Sequence, residues 1–94
     1  MAEPGDLTVT YEEEGVVVVE ELDKRILSKG AWTTILFKYR QWNRGKEEYG
    51  PVRYSIRRYQ KTGDSYRQRA KFNISSNEQA AKIIQALKEW GVEA

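Results

Sequence analysis

Cysteine and histidine are both missing from this 94-residue chain. Without cysteine there is no disulfide framework and no thiolate zinc site. Without histidine there is no imidazole base, no Ser-His or Cys-His nucleophile pair, and none of the commonest metal ligand. Neither a P-loop nor a Gly-x-Gly-x-x-Gly fingerprint occurs. Catalysis would have to rest on carboxylates, lysine, tyrosine or serine, and the acids Glu20, Glu21 and Asp23 form no catalytic constellation with them. The expectation is therefore a non-enzymatic protein with no cofactor, no metal and no small-molecule substrate. Long hydrophobic runs are missing too: none approaches the ~20 residues of a membrane span, so no membrane partner is expected. The start, Met1-Ala2-Glu3-Pro4-Gly5-Asp6, lacks the cationic flank and apolar segment of a secretion signal. The expected compartment is the cytoplasm, with nucleoid association if the source is bacterial.

What is present is charge, unevenly placed. Charged residues make up 32% and hydrophobic ones 39%, which suits one folded domain with a modest core. The net charge is only +2. Residues 38–71 nevertheless carry 11 basic and 3 acidic side chains, a net +8, whereas residues 1–37 carry 3 and 8, a net −5. A basic middle and an acidic front within a near-neutral chain point to a polyanion partner.

The basic residues fall in a two-residue rhythm. Leu36, Lys38, Arg40 and Trp42 alternate with Ile35, Phe37 and Tyr39. Arg53, Ser55, Arg57, Tyr59 and Lys61 alternate with Val52, Tyr54 and Ile56. Arg67, Arg69, Lys71 and Asn73 alternate with Gln68, Ala70, Phe72 and Ile74. Side chains alternate faces along a strand, so each segment has one cationic and one apolar face. Paired into one sheet, the three are expected to place their cations on a single surface carrying Trp42 and Tyr59. Such a surface holds a nucleic-acid backbone by charge while its rings stack on bases.

The rest of the chain reads as follows. Residues 1–14, with Pro4-Gly5 and Glu12-Glu13-Glu14, read as an acidic flexible tail, leaving 15–94 as a single nucleic-acid-binding domain. Val16 to Leu22 is β-branched and gives a first strand, which an irregularity can extend through Asp23 to Leu27. Its run of four valines is apolar on both sides, so cover is needed on both, a partner subunit being one source. After a turn at Ser28-Lys29-Gly30, Trp32 to Trp42 is the second strand, and a polar connection spans 43–51. Val52 to Lys61 and Tyr66 to Ile74, joined by Thr62-Gly63-Asp64-Ser65, are the third and fourth. Ser75 or Ser76 can cap a helix, each within a capping box to Glu78 or Gln79. Ala80, Ile83, Ile84, Leu87 and Trp90 recur at helical spacing as a buried stripe, and Gly91 can end it. The fold class is α+β: a four-stranded antiparallel curved sheet followed by one C-terminal helix on its apolar face.

Ile56-Arg57-Arg58-Tyr59-Gln60, then a Gly-containing hairpin, then Lys71-Phe72-Asn73-Ile74-Ser75-Ser76-Asn77-Glu78-Gln79 leading into a helix resemble the Positive Cofactor Four family of single-stranded-DNA-binding transcription cofactors and its bacterial relatives. The resemblance covers about residues 50–90, and the earlier strands agree in pattern only. It implies a curved antiparallel sheet, a homodimer formed partly through the helix, and single strands lying across the basic face, with Arg57 and Tyr59 on the family's third strand and Lys71 on its basic fourth strand. Where the family often has a stacking tryptophan after the tyrosine, this chain has Gln60. The purine-rich-element-binding domains and the plant Whirly proteins are similar in architecture.

These readings converge on a coactivator-like, homodimeric protein that binds single-stranded DNA, or RNA as the alternative, with little sequence preference, in transcription or DNA maintenance. The candidate interface is Lys38, Arg40, Trp42, Arg53, Arg57, Tyr59, Lys61, Arg67, Arg69 and Lys71. Trp42 is placed equally well to stack on a base or to pack under the 43–51 loop, Tyr59 is expected to be exposed, and Trp32 and Trp90 are expected in the core or a dimer interface. The competing reading is a protein-interaction module whose basic face docks acidic partners or the chain's own acidic arm.

Overall fold

The sheet is built from the β-branched and aromatic runs that the sequence marks as strands, and it curls toward a half-barrel. In this computed structural model, which describes residues 3–93, a 3-10 turn at Pro4–Asp6 precedes strands β1 (Tyr11–Glu13), β2 (Val16–Ser28), β3 (Trp32–Asn43), β4 (Glu48–Tyr49), β5 (Arg53–Thr62) and β6 (Ser65–Ile74), followed by helix α1 (Asn77–Glu89). The order across the sheet is β1-β2-β3-β5-β6, all antiparallel, with the short β4 pairing the far end of β3. The protein is thus α+β, a curled antiparallel sheet with one C-terminal helix. The two strands beyond the expected four are short. β1 folds back on β2 through Glu14 and Gly15, both at positive φ, and β4 arises within the polar connection.

Register decides which side chains share a face, because residues directly opposite one another point the same way. Phe37 lies opposite Ser55, Ile35 opposite Arg57, Thr33 opposite Tyr59 and Tyr39 opposite Arg53. This side is the core face. On the other side Leu36 lies opposite Ile56 and Lys38 opposite Tyr54, and because α1 adjoins it we call it the helix face.

The core face is where burial is deepest. Ile35 and Phe37 are fully enclosed, as are Thr33 and Ser55, and Tyr39, Tyr59 and Val9 complete the cluster, with Leu7, Val19 and Tyr66 packed at its margin. Each large apolar side chain enclosed here contributes about 1.5–3 kcal/mol. The cover comes from the N-terminal segment, which the sequence reading left as a solvated tail. Lys24 Nζ donates to the carbonyl oxygens of Gly5 at 2.8 Å and Leu7 at 2.6 Å, and the Glu21 amide donates to Thr10 Oγ1 at 3.1 Å. Leu7 and Val9 are the apolar pair among the acids of this segment, and burying them is what overrides its tail-like composition. Met1 and Ala2 of the expected tail, and Ala94 of the expected domain, lie outside the described residues.

The helix starts as its sequence demands. Ser76 caps it, its hydroxyl accepting from the Gln79 amide at 3.1 Å, while Gln79 Oε1 accepts from the Ser75 amide at 2.7 Å. Gly91, at φ 92°, ends it, with its amide donating to the Lys88 carbonyl and the Val92 amide to that of Leu87. The apolar stripe is not buried as expected: Ile84 is 58% exposed and Trp90 80%, and no residue of α1 is enclosed. A cleft of about 490 Å³ separates the helix from the sheet, lined by Leu36, Tyr54, Ile56 and Ile74 on one side and Ala80, Ile83 and Ile84 on the other. The molecule measures 44 × 38 × 18 Å, with a radius of gyration of 15.1 Å, against about 12 Å for a compact domain of this length. It is one layer closed by its own N-terminus and a second, helical layer standing off. Among the described residues no helix is long and apolar enough to cross a membrane.

If Val9 seals the core face, Val9→Ala should lower the unfolding free energy by about 1–3 kcal/mol. Urea unfolding measures it, and a tail residue would register less than ~0.5 kcal/mol.

Candidate nucleic-acid interface

The ten candidate residues do not share one surface. Because Lys38 lies opposite Tyr54 rather than Ser55, Lys38, Arg40 and Trp42 project on the helix face, while Arg53, Arg57, Tyr59 and Lys61 project on the core face. On β6, Lys71 lies opposite Arg57 on the core face, but Arg67 lies opposite Gln60 on the helix face. The change of side comes from a bulge: the register shifts between Arg58 and Tyr59, and Arg69 becomes the extra residue on β6, its Nε donating to Gln60 Oε1 at 3.0 Å. A bulge re-aims side chains, a shift that period-two reading cannot see. The expected single basic face is thus corrected to two basic flanks of one hairpin.

The cations of β3 and of the loop after it are partly neutralised from the N-terminal half. Arg40 pairs with Glu20 at 2.8 Å and stacks on the Tyr49 ring, 3.9 Å from its centroid. Arg44 reaches Glu13 at 3.6 Å. Lys38 lies directly across from Asp23 on β2. The Lys24 amide and the Arg25 guanidinium hold the Asp23 carboxyl below the usual carboxylate range, and the Lys38 charge acts in the same direction. The acids of the chain's front thus pair within β2, as Glu21 with Lys24 and Asp23 with Arg25, and reach across to Arg40 on β3 and Arg44 beyond it.

The two aromatic candidates are also engaged. Trp42 packs edge-on against Tyr49, with ring centroids 5.0 Å apart at 77°, so of its two readings the structure takes the loop-packing one. Tyr59 is only 5% exposed and belongs to the core cluster, which corrects its expected exposure. Val9 and Tyr66, supplied by segments far apart in sequence, enclose it. Burial pushes its phenol above the ordinary value, opposed by the Arg57 charge beside it.

What remains is the β5–β6 hairpin. Residues 53–74 hold Arg53, Arg57, Arg58, Lys61, Arg67, Arg69 and Lys71 against the single acid Asp64, a net +6. Among the described residues none of these seven cations forms an ion pair; the five ion pairs present all lie elsewhere. Their contacts are to neutral groups: Arg57 donates to Ser55 Oγ at 3.4 Å and Gln68 Oε1 at 3.2 Å, and Arg53 to the Ser75 carbonyl at 3.4 Å. Arg57 and Lys71 stand directly opposite one another, a like-charge pairing that destabilises a sheet. Sequence reasoning passed over Arg58, whose guanidinium lies 4.2 Å from the centre of the Trp32 ring. The signal was present: Arg58 follows Arg57 on the opposite face, and Trp32 opens the neighbouring strand.

No protein-family model, curated protein or solved structure matches this chain.

The raised Tyr59 phenol makes a pH prediction. A folded-state value above the unfolded one, near 10, keeps its contribution whole below that pH and removes it as pH rises through the folded value. Ultraviolet titration should show a late-ionising phenol, coincident with loss of stability, and Tyr59→Phe should remove that phase.

Proposed function

We propose that this protein is a non-enzymatic, sequence-tolerant binder of single-stranded nucleic acid, DNA in the first instance, and that the β5–β6 hairpin is its binding element. One observation carries the reading: seven cations on a single edge hairpin without a carboxylate partner, two of them directly opposed. Phosphates would relieve that repulsion, and release of their counterions would drive binding. The edge position matters, since among the described residues β6 has no neighbour beyond it, which leaves the cations on both flanks open to one flexible strand. A rigid duplex is the poorer ligand, because among the described residues the only helix long enough to enter a groove carries Glu78, Lys82, Lys88 and Glu89 in balance. The likeness to the Positive Cofactor Four family supports the same reading, and membership of such a family is part of the proposal.

The proposal includes a homodimer. Ile84 and Leu87 on α1, Trp90 at its C-cap and Phe72 on the helix face, 50% exposed, are exposed apolar side chains, and Ile84 also lines the 490 Å³ cleft; exposed apolar surface of this kind marks an interaction site. Pairing two copies there would bury the stripe and supply the missing second layer. Ile84→Asp should convert a dimer to monomer in analytical ultracentrifugation with the far-ultraviolet spectrum retained; a wild-type monomer at all concentrations would contradict the dimer.

Fluorescence anisotropy of a labelled oligothymidylate tests the binding. If three to seven phosphates are engaged, the slope of log K against log salt should lie at roughly −2 to −5 for a single strand. Arg57→Ala with Lys71→Ala should weaken binding and flatten that slope by about one to two, while Arg40→Ala, which breaks an internal pair, should leave the slope unchanged. A flat salt dependence in the wild type would count against nucleic acid and favour an acidic protein as the hairpin's partner.

A further inference from the structure

Trp32 opens β3 on the helix face, directly opposite Gln60. It is 39% exposed, being paired on the β5 side alone, since the β2 pairing reaches only to Thr34. Around it on the same face stand Arg58, stacked on its ring at 4.2 Å, Arg67, opposite Gln60 on the next strand, and the bulged Arg69, held by Gln60. None of the three guanidinium groups has a carboxylate partner among the described residues. The cluster is separate from the core-face cations Arg53, Arg57 and Lys71, and it lies at the far end of β3 from Trp42 and Tyr49.

Resting on the nucleic-acid reading above, we propose that Trp32 is the base-stacking platform of this protein and that the helix-face flank of the hairpin, not the core-face flank, receives the bases. An aromatic ring ringed by unpaired arginines fits a nucleotide in both its parts. The indole stacks on the base, a contact every base can make, and the guanidinium groups take the phosphates. Arg58 is already ordered by its cation–π contact, so its donors stand beside the ring before the ligand arrives and little further freedom is lost on binding. Gln60 holds Arg69 by its side-chain oxygen and so fixes a second cation next to the platform. The platform also selects the single strand: a base inside a duplex is covered on both sides by its neighbours and reaches Trp32 only if it leaves the stack. Tyr59 and Trp42 cannot play this part, one being enclosed in the core and the other packed on Tyr49.

The test compares two ligands of equal length, an oligothymidylate and the same sugar-phosphate chain without bases. Wild-type protein should prefer the oligothymidylate. Trp32→Ala should weaken its binding roughly 5- to 150-fold and weaken the abasic chain much less, through the lost ordering of Arg58 alone, whereas Arg58→Ala should weaken both. Trp32→Phe, which keeps a ring and guards against a folding defect, should retain most of the preference. In a protein carrying Trp42→Phe and Trp90→Phe, saturation with oligothymidylate should quench the one remaining tryptophan and the abasic chain should not. Unchanged emission there, an unchanged oligothymidylate affinity in Trp32→Ala, or an equal loss for both ligands would overturn the platform while leaving phosphate binding by the hairpin intact. A wild-type protein that binds neither ligand would overturn the nucleic-acid reading and the platform together.

Discussion

Phe37 sits directly across from Ser55, and the distribution of charge over the molecule follows from that pairing. A slip of one residue between β3 and β5 would turn every side chain of one strand to the opposite face. In the register found, Ile35, Phe37 and Tyr39 meet the small Ser55 and the ring of Tyr59, so that Val9 can close over them. The same register sends Lys38 and Arg40 to the other side, across from Asp23 and Glu20 on β2. Burial and electrostatics favour the same alignment. The slipped alternative would turn the β5 cations Arg53 and Arg57 to the face that already holds Lys38 and Arg40.

That alignment divides the basic middle of the chain by function. Cations on β3 and in the following loop meet acids from β1 and β2 and help to hold the sheet together; partly exposed pairs of this kind contribute little each, typically below about 1 kcal/mol. Among the described residues, cations on the β5–β6 hairpin are left without acid partners, since no acid-bearing strand lies beyond β6. An edge strand rich in positive charge resists pairing with other sheets, which protects the monomer. Seven cations on one hairpin go further than edge protection needs, and they leave a field that a polyanion would neutralise. The bulge at Arg69 spreads this field over both flanks and brings it to the exposed Trp32 ring.

Much of this was legible in the sequence. The long strands, the hairpin at Thr62–Ser65, the capped helix and the basic segment all followed from two-residue alternation, turn residues and charge counts. Three things were not. The N-terminal segment looked like a tail because its acids outnumber Leu7 and Val9, and nothing local reveals that those two complete a core formed by residues far along the chain. Tyr59 alternates with polar neighbours, yet it is buried because its strand faces Thr33 and Ile35, a fact of register rather than of composition. Arg67 and Lys71 read as one face because a bulge leaves no trace in a period-two pattern. Each miss concerns pairing between segments, which alternation within one segment does not encode.

The most direct test of the hairpin as binding element is a residue-resolved map of the complex. Backbone amide shifts of the labelled protein, followed while an oligothymidylate is added, should move for residues 53–74 and around Trp32 and stay still along β2. Perturbations concentrated on β2 and on Lys38 and Arg40 with the hairpin silent, or none at all at low salt, would contradict the account.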